Sequence, residues 1–233
     1  MNTTLLFDAP PPVLLPIKGS DQLFPVNRAF CIGRSYAAHA AEMGSSVDKT
    51  KQDPFFFLKA ASHIIGSGKT IQFPTETANL HHEVELVVCF DKPAFRVTPE
   101  QALASVYGYA VGLDLTRRDL QAKAKEKGLP WDYAKNFEEA GVVGLITPKT
   151  QVPAIEQSRI SLEINGQVRQ DGNTNDLIWS LAELISYISK FYHIQAGDLL
   201  FTGTPEGVGA IQPGDSLVGK IDGLENLTLQ FER

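Results

Sequence analysis

Two glutamates interrupt an otherwise apolar run at positions 81–88, which read His-His-Glu-Val-Glu-Leu-Val-Val. On a β-strand, residues i and i+2 point to the same face, so Glu83 and Glu85 would stand roughly 6.5–7 Å apart. Burying two like charges side by side among valines and leucines costs free energy unless a cation compensates them. A hard divalent metal ion is such a cation. The segment therefore predicts either a metal site or an edge strand whose carboxylates lie on its wet face.

Asp114 is the best candidate for a third ligand, because it too is an isolated carboxylate in an apolar segment, 109–115. Three carboxylates plus water make an oxygen-only site, which suits Mg²⁺ or Mn²⁺, with Ca²⁺ also possible. The adjacent His81 and His82 could be ligands, supports of the ligands or simple strand-entry residues. We favour support or structure for both histidines.

The overall composition limits the classes of partner. The chain has 233 residues and a formal net charge of −6, without a basic run, which argues against nucleic acid or an anionic membrane as the main partner. Its two cysteines, Cys31 and Cys89, form no CxxC motif, which excludes a zinc knuckle and fits a reducing compartment. No apolar segment approaches the length of a membrane span, and the N-terminus does not resemble a signal peptide. We expect a cytoplasmic protein.

Short strand-like segments outnumber helical ones, which predicts an α+β fold on a β-rich core with a few peripheral helices. Residues 1–25 contain five prolines and are expected to form an extended or hairpin-like extension rather than core. No linker divides 26–233, which we expect to be one catalytic domain. An Asn-Gly turn at 165–166 predicts a hairpin. Helices are expected at 35–43, 98–109, 116–127 and 176–191.

His39 and Glu42 stand three residues apart on the first of these helices, so both side chains share one face. A carboxylate beside an imidazole fixes its tautomer and raises its basicity, as a general base requires. An incidental pair on an exposed face is the alternative. Lys59 and Lys135 are each bordered by large apolar residues and are candidates for anion contacts, or for lysines that extend to the surface.

Six motifs occur in an order that resembles the fumarylacetoacetate hydrolase family, and among its members the short, single-domain acylpyruvase and oxaloacetate-decarboxylase type. They span about residues 28–221. Ser35 is a mild departure, because this position more often carries asparagine. The motifs are Gly-Arg-Ser-Tyr-Ala-Ala-His at 33–39, Phe-Leu-Lys at 57–59, His-His-Glu-Val-Glu-Leu at 81–86, Gly-Leu-Asp-Leu-Thr at 112–116, the segment from Gly-Leu-Pro-Trp to Lys at 128–135, and Thr-Gly-Thr-Pro-Glu-Gly-Val-Gly at 202–209.

The resemblance implies a mixed β-roll fold, a homodimer and an Mg²⁺ or Mn²⁺ site formed by three carboxylates. It implies that His39 and Glu42 activate water from a lid helix and that Lys135 lies beside the metal. The implied metal ligands are Glu83, Glu85 and Asp114. The implied substrate contacts are Arg34, Tyr36, Lys59, Gln121 and Thr204.

The chemistry expected from this resemblance is hydrolytic C–C cleavage of an acylpyruvate-type 2,4-dioxo acid through a metal-stabilised pyruvate enolate. Related β-dicarbonyl reactions remain open at the same site. They are oxaloacetate decarboxylation or tautomerisation and the isomerisation or decarboxylation of a hydroxymuconate-type diacid. The His39 and Glu42 pair favours hydrolysis. The alternative from another class is a non-catalytic metal-binding dimer.

Overall fold

The computed structural model describes residues 4–233, which form mostly β-structure with a few short helices. The strands are β1 (Leu14–Pro16), β2 (Leu23–Pro25), β3 (Arg28–Gly33), β4 (Phe55–Ala60), β5 (Ile64–Gly66), β6 (Lys69–Ile71), β7 (Leu80–His82), β8 (Val84–Phe90), β9 (Val106–Asp114), β10 (Thr116–Arg117), β11 (Gly141–Val143), β12 (Thr147–Pro148), β13 (Arg159–Ile164), β14 (Gln167–Asn173), β15 (Asp198–Phe201), β16 (Gly209–Ala210), β17 (Ser216–Ile221) and β18 (Leu227–Phe231). The α-helices are α1 (Ala37–Glu42), α2 (Pro99–Ala102), α3 (Arg118–Lys127), α4 (Asp132–Lys135) and α5 (Leu181–Ser189).

The largest sheet runs in the order β4-β3-β15-β8-β9-β11-β5, with β12 also paired to β9. It is mixed, because β15 lies parallel to β3 and antiparallel to β8. A second sheet, β14-β13-β17-β18-β6, packs against it, and Gly219 of β17 lies close to Val84 and Val111. The expected α+β class with a mixed, β-rich core is confirmed.

Both faces of the largest sheet are covered, which explains its continuous apolar strands. Alternate residues of β8 and β15, such as Leu86 and Leu200, join the main core between the two sheets. The residues between them, such as Val87 and Phe201, belong to a second core on the opposite face. Glu85 and Asp114 follow this alternation onto the second face, at the end of the sheet where the apolar cover stops.

The N-terminal segment contributes more to the core than its prolines suggest. Strands β1 and β2 form the expected hairpin, with Leu15 opposite Phe24. The expectation that this segment lies outside the core is wrong, because Leu15, Ile17 and Phe24 are buried in the second core. Alternation on a short strand is enough to bury one residue in two.

All four expected helices are shorter than their sequence patterns indicated, and for α3 the reason is that Thr116 and Arg117 form β10. The capping box of Thr98 and Gln101 is present, but α2 ends at Ala102 because the chain continues into β9 and pairs with β8. Helix α5 begins after Ser180, whose side chain and that of Glu183 form a reciprocal capping box. Helix α3 ends as expected at Gly128, which adopts a left-handed φ of 63°. Helix α1 begins after Tyr36 rather than at Ser35.

The described part of the chain contains no helix that is both long and apolar enough to cross a membrane. Cys31 and Cys89 are buried free thiols. The Asn165-Gly166 turn joins β13 to β14, and both residues have positive φ.

Candidate active site

The predicted carboxylate pair does not lie on one regular strand. Glu83 lies in the one-residue break between β7 and β8, whereas Glu85 is the second residue of β8. The backbone carbonyl of Glu83 accepts a hydrogen bond of 2.9 Å from the backbone N–H of Asp114. This contact brings the end of β9 beside the break. Oxygen atoms from Glu83, Glu85 and Asp114 then lie within 4.8 Å of one another.

These three carboxylates form a buried cluster, because their residues are only 1–4% exposed. The wet edge-strand alternative is therefore excluded. Three cations lie against the cluster. Lys135 Nζ donates to Glu83 Oε2 at 2.6 Å and to Asp114 Oδ2 at 2.7 Å. Arg118 donates to the other oxygen of Glu83.

Lys59 lies on the far side of Asp114, with its Nζ 2.8 Å from Oδ1. The direction of this contact is not that of a hydrogen bond, so Asp114 Oδ1 accepts none from the described residues. The Lys59 ammonium also donates to the backbone carbonyl of Lys135. Lys59 is fully buried, and its ammonium thus holds Asp114 and the backbone of Lys135 together.

The charges are unevenly distributed within the cluster. Burial alone would raise the pKa of Glu83, but Lys135 and Arg118 outweigh it and lower that pKa. For Glu85, burial and the negative charges of Asp114 and Glu83 raise the pKa well above its usual value. Burial would lower the pKa of Lys135, but Asp114 and Glu83 raise it. The described cations therefore compensate the negative charge of Glu83 more fully than that of Glu85.

A divalent cation fits this arrangement. The three side chains offer only hard oxygen atoms, one oxygen of Asp114 has no hydrogen-bond donor, and Glu85 forms no ion pair with any described residue. These are the ligand type and the charge deficit that Mg²⁺ or Mn²⁺ requires. The cluster can hold either ion.

His39 and Glu42 meet as expected on α1. His39 Nδ1 lies 3.2 Å from Glu42 Oε2, and the other oxygen of Glu42 accepts a hydrogen bond of 3.1 Å from the backbone N–H of Gly207. This second bond ties the short helix to the loop after β15. Glu42 is thereby fixed from both sides, so it holds the imidazole in one orientation.

One pocket joins His39 to the carboxylate cluster. His39, Glu83, Glu85 and Lys135 all contribute to its wall. Three of the predicted substrate contacts also line it. These are Arg34, Gln121 and Thr204.

The other two predicted substrate contacts, Tyr36 and Lys59, are buried beside the cluster and do not reach the described pocket wall. Burial, and next the charge of Glu85, raise the pKa of Tyr36, whose hydroxyl has no hydrogen-bond partner within residues 4–233. Their contact with a substrate stays a prediction. For Lys59 the structure supplies a different partner, Asp114.

Two residues of the site were not singled out from the sequence. Arg118 pairs with Glu83 and donates to Gln121 Oε1 at 2.6 Å. Gln170, from β14, faces His82 Nδ1 at 2.9 Å and donates to Thr204 Oγ1 at 2.8 Å. The spacing of Arg118 and Gln121 on α3 could have identified the first, whereas Gln170 has no sequence signal. His82 thus supports the site through Gln170, as favoured above.

A buried cluster of carboxylate oxygens at the end of a mixed sheet, with a carboxylate-oriented histidine on the wall of the same pocket, is typical of a metal-dependent enzyme built on a β-roll. The family model described as fumarylacetoacetate (FAA) hydrolase C-terminal matches residues 28–232. The chain belongs to this family.

Three known proteins extend this comparison. A fumarylpyruvate hydrolase from Ralstonia sp is 47% identical over 187 residues, which cover 80% of this chain and 97% of that protein. The mitochondrial oxaloacetate tautomerase FAHD1 from Homo sapiens is 40% identical over 203 residues, which cover 87% of this chain and 90% of that protein. The crystal structure of fumarylpyruvate hydrolase from Pseudomonas aeruginosa in complex with Mn²⁺ and pyruvate has a TM-score of 0.93 and 45% identity, and it covers 98% of this chain and 99% of that one.

Proposed function

We propose that this protein is a divalent-metal-dependent hydrolase that cleaves the C–C bond of acylpyruvates such as fumarylpyruvate. The observation that carries the proposal is the pocket wall that His39, oriented by Glu42, shares with Glu83 and Glu85 of the three-carboxylate cluster. A site for enolate chemistry alone needs the cluster, but hydrolysis also needs a base for water. The similarity to fumarylpyruvate hydrolases at 45–47% identity supports the same reaction.

In the proposed reaction, His39 takes a proton from water through Nε2, because Nδ1 faces Glu42. The water adds to the distal carbonyl of the acylpyruvate. Arg118 and Gln121 are placed to donate hydrogen bonds to the oxygen that becomes negative. Breakage of the C–C bond releases the carboxylic acid and leaves the pyruvate enolate. The proton that His39 took from water is returned to the enolate carbon, which gives pyruvate and restores the neutral imidazole.

Glu83, Glu85 and Asp114 would hold Mg²⁺ or Mn²⁺, and Lys135 would remain beside them. The ion, when bound, supplies positive charge that stabilises the enolate of pyruvate. Lys135 Nζ adds a hydrogen-bond donor on the same side of the pocket. Release of Lys135 from one of its two carboxylates would free that donor for the substrate.

Oxaloacetate tautomerisation is the second candidate, because the human relative at 40% identity bears that name. This reaction moves protons and needs no attacking water.

We also propose that the protein acts as a homodimer, as the family resemblance indicates, and that it works in the cytoplasm. Size-exclusion chromatography with light scattering tests the dimer.

A panel assay separates the two reactions. Purified protein with Mn²⁺ or Mg²⁺ is given fumarylpyruvate, acetylpyruvate, oxaloacetate or a hydroxymuconate, and pyruvate release and enol disappearance are followed. We expect pyruvate from the acylpyruvates and loss of activity with a chelator. Tautomerisation of oxaloacetate without acylpyruvate cleavage would refute the hydrolase proposal.

A further inference from the structure

The wall of the active-site pocket changes character with depth. Near the carboxylate cluster its cations, Lys135 and Arg118, are buried and paired. The same wall contains Met43, Phe57 and Trp131, which are apolar or aromatic and half-buried. At the mouth, two more cations belong to the same wall and are exposed to solvent. They are Arg34 and Lys125.

Two aromatic rings in edge-to-face contact hold these outer cations. The centroids of Phe55 and Trp131 lie 5.0 Å apart at an interplanar angle of 70°. Arg34 Cζ lies 5.7 Å from the Phe55 centroid, and Lys125 Nζ lies 5.2 Å from the Trp131 centroid. Cations are attracted to aromatic faces at this range. We call Arg34, Phe55, Trp131 and Lys125 the cationic rim.

The backbone beneath the rim is shaped to this arrangement. The backbone of Arg34 has a left-handed φ of 58°, which residues other than glycine rarely adopt. At Gly33, a Cβ atom would lie 2.7 Å from the Phe55 ring, so only glycine admits the ring there. Lys125 lies on the same face of α3 as Arg118 and Gln121, because it follows them by seven and four residues.

Neither Arg34 nor Lys125 forms an ion pair or a side-chain hydrogen bond with any residue in the range 4–233. Partial burial, followed by the charges of Arg118 and Arg34, lowers the pKa of Lys125. The ammonium therefore stands near two guanidinium groups and forms no ion pair with a carboxylate of the described residues. Such a group favours an anion that arrives with the ligand.

We propose that Arg34 and Lys125 bind a second carboxylate at the far end of the acyl chain, so that the preferred substrates are dicarboxylic acylpyruvates. This inference rests on the proposed function and specifies its substrate class. The pyruvyl end occupies the carboxylate cluster, the acyl carbons pass Met43 and Trp131, and the terminal carboxylate meets the rim. Hydrogen bonds between ionised groups make this end selective.

The test compares fumarylpyruvate, which carries the second carboxylate, with acetylpyruvate, which does not. Lys125→Met removes the charge and keeps an apolar stem on Trp131. We expect the ratio of kcat/KM for fumarylpyruvate to that for acetylpyruvate to fall about tenfold, mainly through KM. Lys123→Met is the matched control, because Lys123 is exposed on the opposite side of α3. The control is expected to keep the native ratio.

Calorimetry provides a readout that is independent of turnover. The Mn²⁺-loaded His39→Ala protein is titrated with each acylpyruvate, with and without Lys125→Met, and the affinity ratio is expected to fall as the kinetic ratio does. An unchanged ratio, or equal losses for both compounds, overturns the rim assignment. If the native protein cleaved neither compound, the hydrolase proposal would fail, and the affinity ratio would still decide the rim.

Discussion

The imidazole of His39 is oriented by Glu42 and lines the same pocket as the carboxylate cluster. Among the described residues it forms no hydrogen bond with Glu83, Glu85 or Asp114. Its removal should therefore separate water activation from metal binding. We expect His39→Ala to lower kcat for fumarylpyruvate by about 10²–10⁴-fold. Calorimetric titration with Mn²⁺ should show that the ion still binds.

His193 provides the control for this substitution. It stacks on Phe95 with centroids 3.7 Å apart, and it lines none of the active-site pocket. His193→Ala should keep kcat near the native value. Unchanged hydrolysis in His39→Ala would refute the assignment of the base.

Lys59 is a buried cation whose role should be visible in stability. Lys59→Met leaves Asp114 Oδ1 buried without its neighbouring ammonium, and only Oδ2 keeps a cation, Lys135. We expect the metal-free protein to lose about 3–5 kcal/mol in its free energy of unfolding, measured by urea denaturation. The loss should be smaller with saturating Mn²⁺, because the dication compensates Asp114.

Lys92→Met is a suitable comparison for that loss, since Lys92 is exposed. It should shift the denaturation midpoint little in either condition. An equal loss for Lys59→Met with and without Mn²⁺ would show that Lys59 acts only in packing.

Helix α3 carries Arg118, Gln121 and Lys125 and is anchored at its start by Asp119. The carboxylate of Asp119 accepts hydrogen bonds from Thr77 Oγ1 at 2.6 Å and from the backbone N–H groups of Ala78 and Leu120. Burial would raise the pKa of Asp119, but these hydrogen bonds outweigh it and lower that pKa. We expect Asp119→Ala to cost about 1 kcal/mol of unfolding free energy.

The pH dependence of this cost has a definite sign. Because the pKa of Asp119 is lower in the folded state, its stabilisation is present above the ordinary aspartate pKa and is lost as the pH falls through the folded value. The difference between native and Asp119→Ala proteins should therefore narrow in acid. Asp132→Ala is the control, because its exposed side chain forms no described hydrogen bond. A pH-independent difference would contradict the role of the ionised carboxylate.

Local patterns predicted most elements, but they failed where pairing with a distant strand decided the outcome. The Asn-Gly turn identified the hairpin of β13 and β14. The segment after Ala102 reads as helix in isolation, but after one 3-10 turn at Leu103–Ser105 it becomes strand from Val106, because β8 supplies its hydrogen bonds. The capping box at Ser180 and Glu183 was the better signal for the start of α5 than the apolar stripe.

At the site, the sequence pattern singled out the three carboxylates and the His39–Glu42 pair as candidate residues, and the family resemblance implied their roles. It did not give the break at Glu83, which depends on the contact of β9 with the chain before β8. It also could not place Lys59 beneath Asp114 or Gln170 beside His82, since these contacts join segments 55 and 88 residues apart.

Leu15 is the most deeply buried of the residues through which the N-terminal hairpin packs on the rest of the molecule. Leu15 is fully buried, whereas its neighbour Leu14 is 47% exposed. We expect Leu15→Ala to cost about 2–5 kcal/mol of unfolding free energy, measured by urea denaturation, because it leaves a cavity in the second core. Leu14→Ala should cost far less, and equal losses would contradict the burial pattern.

Strand β15 enters the middle of the largest sheet, between β3 and β8, although it lies about 170 residues after β3 in the chain. Such distant pairing makes closure of the sheet slow and late. On the ribosome, Glu85 lacks its bond from the Gly203 N–H, and Glu42 lacks that from Gly207, until the last fifth of the chain has emerged. We therefore expect the full-length chain, and not the nascent chain, to bind the divalent metal ion and to react with 2-oxo acids.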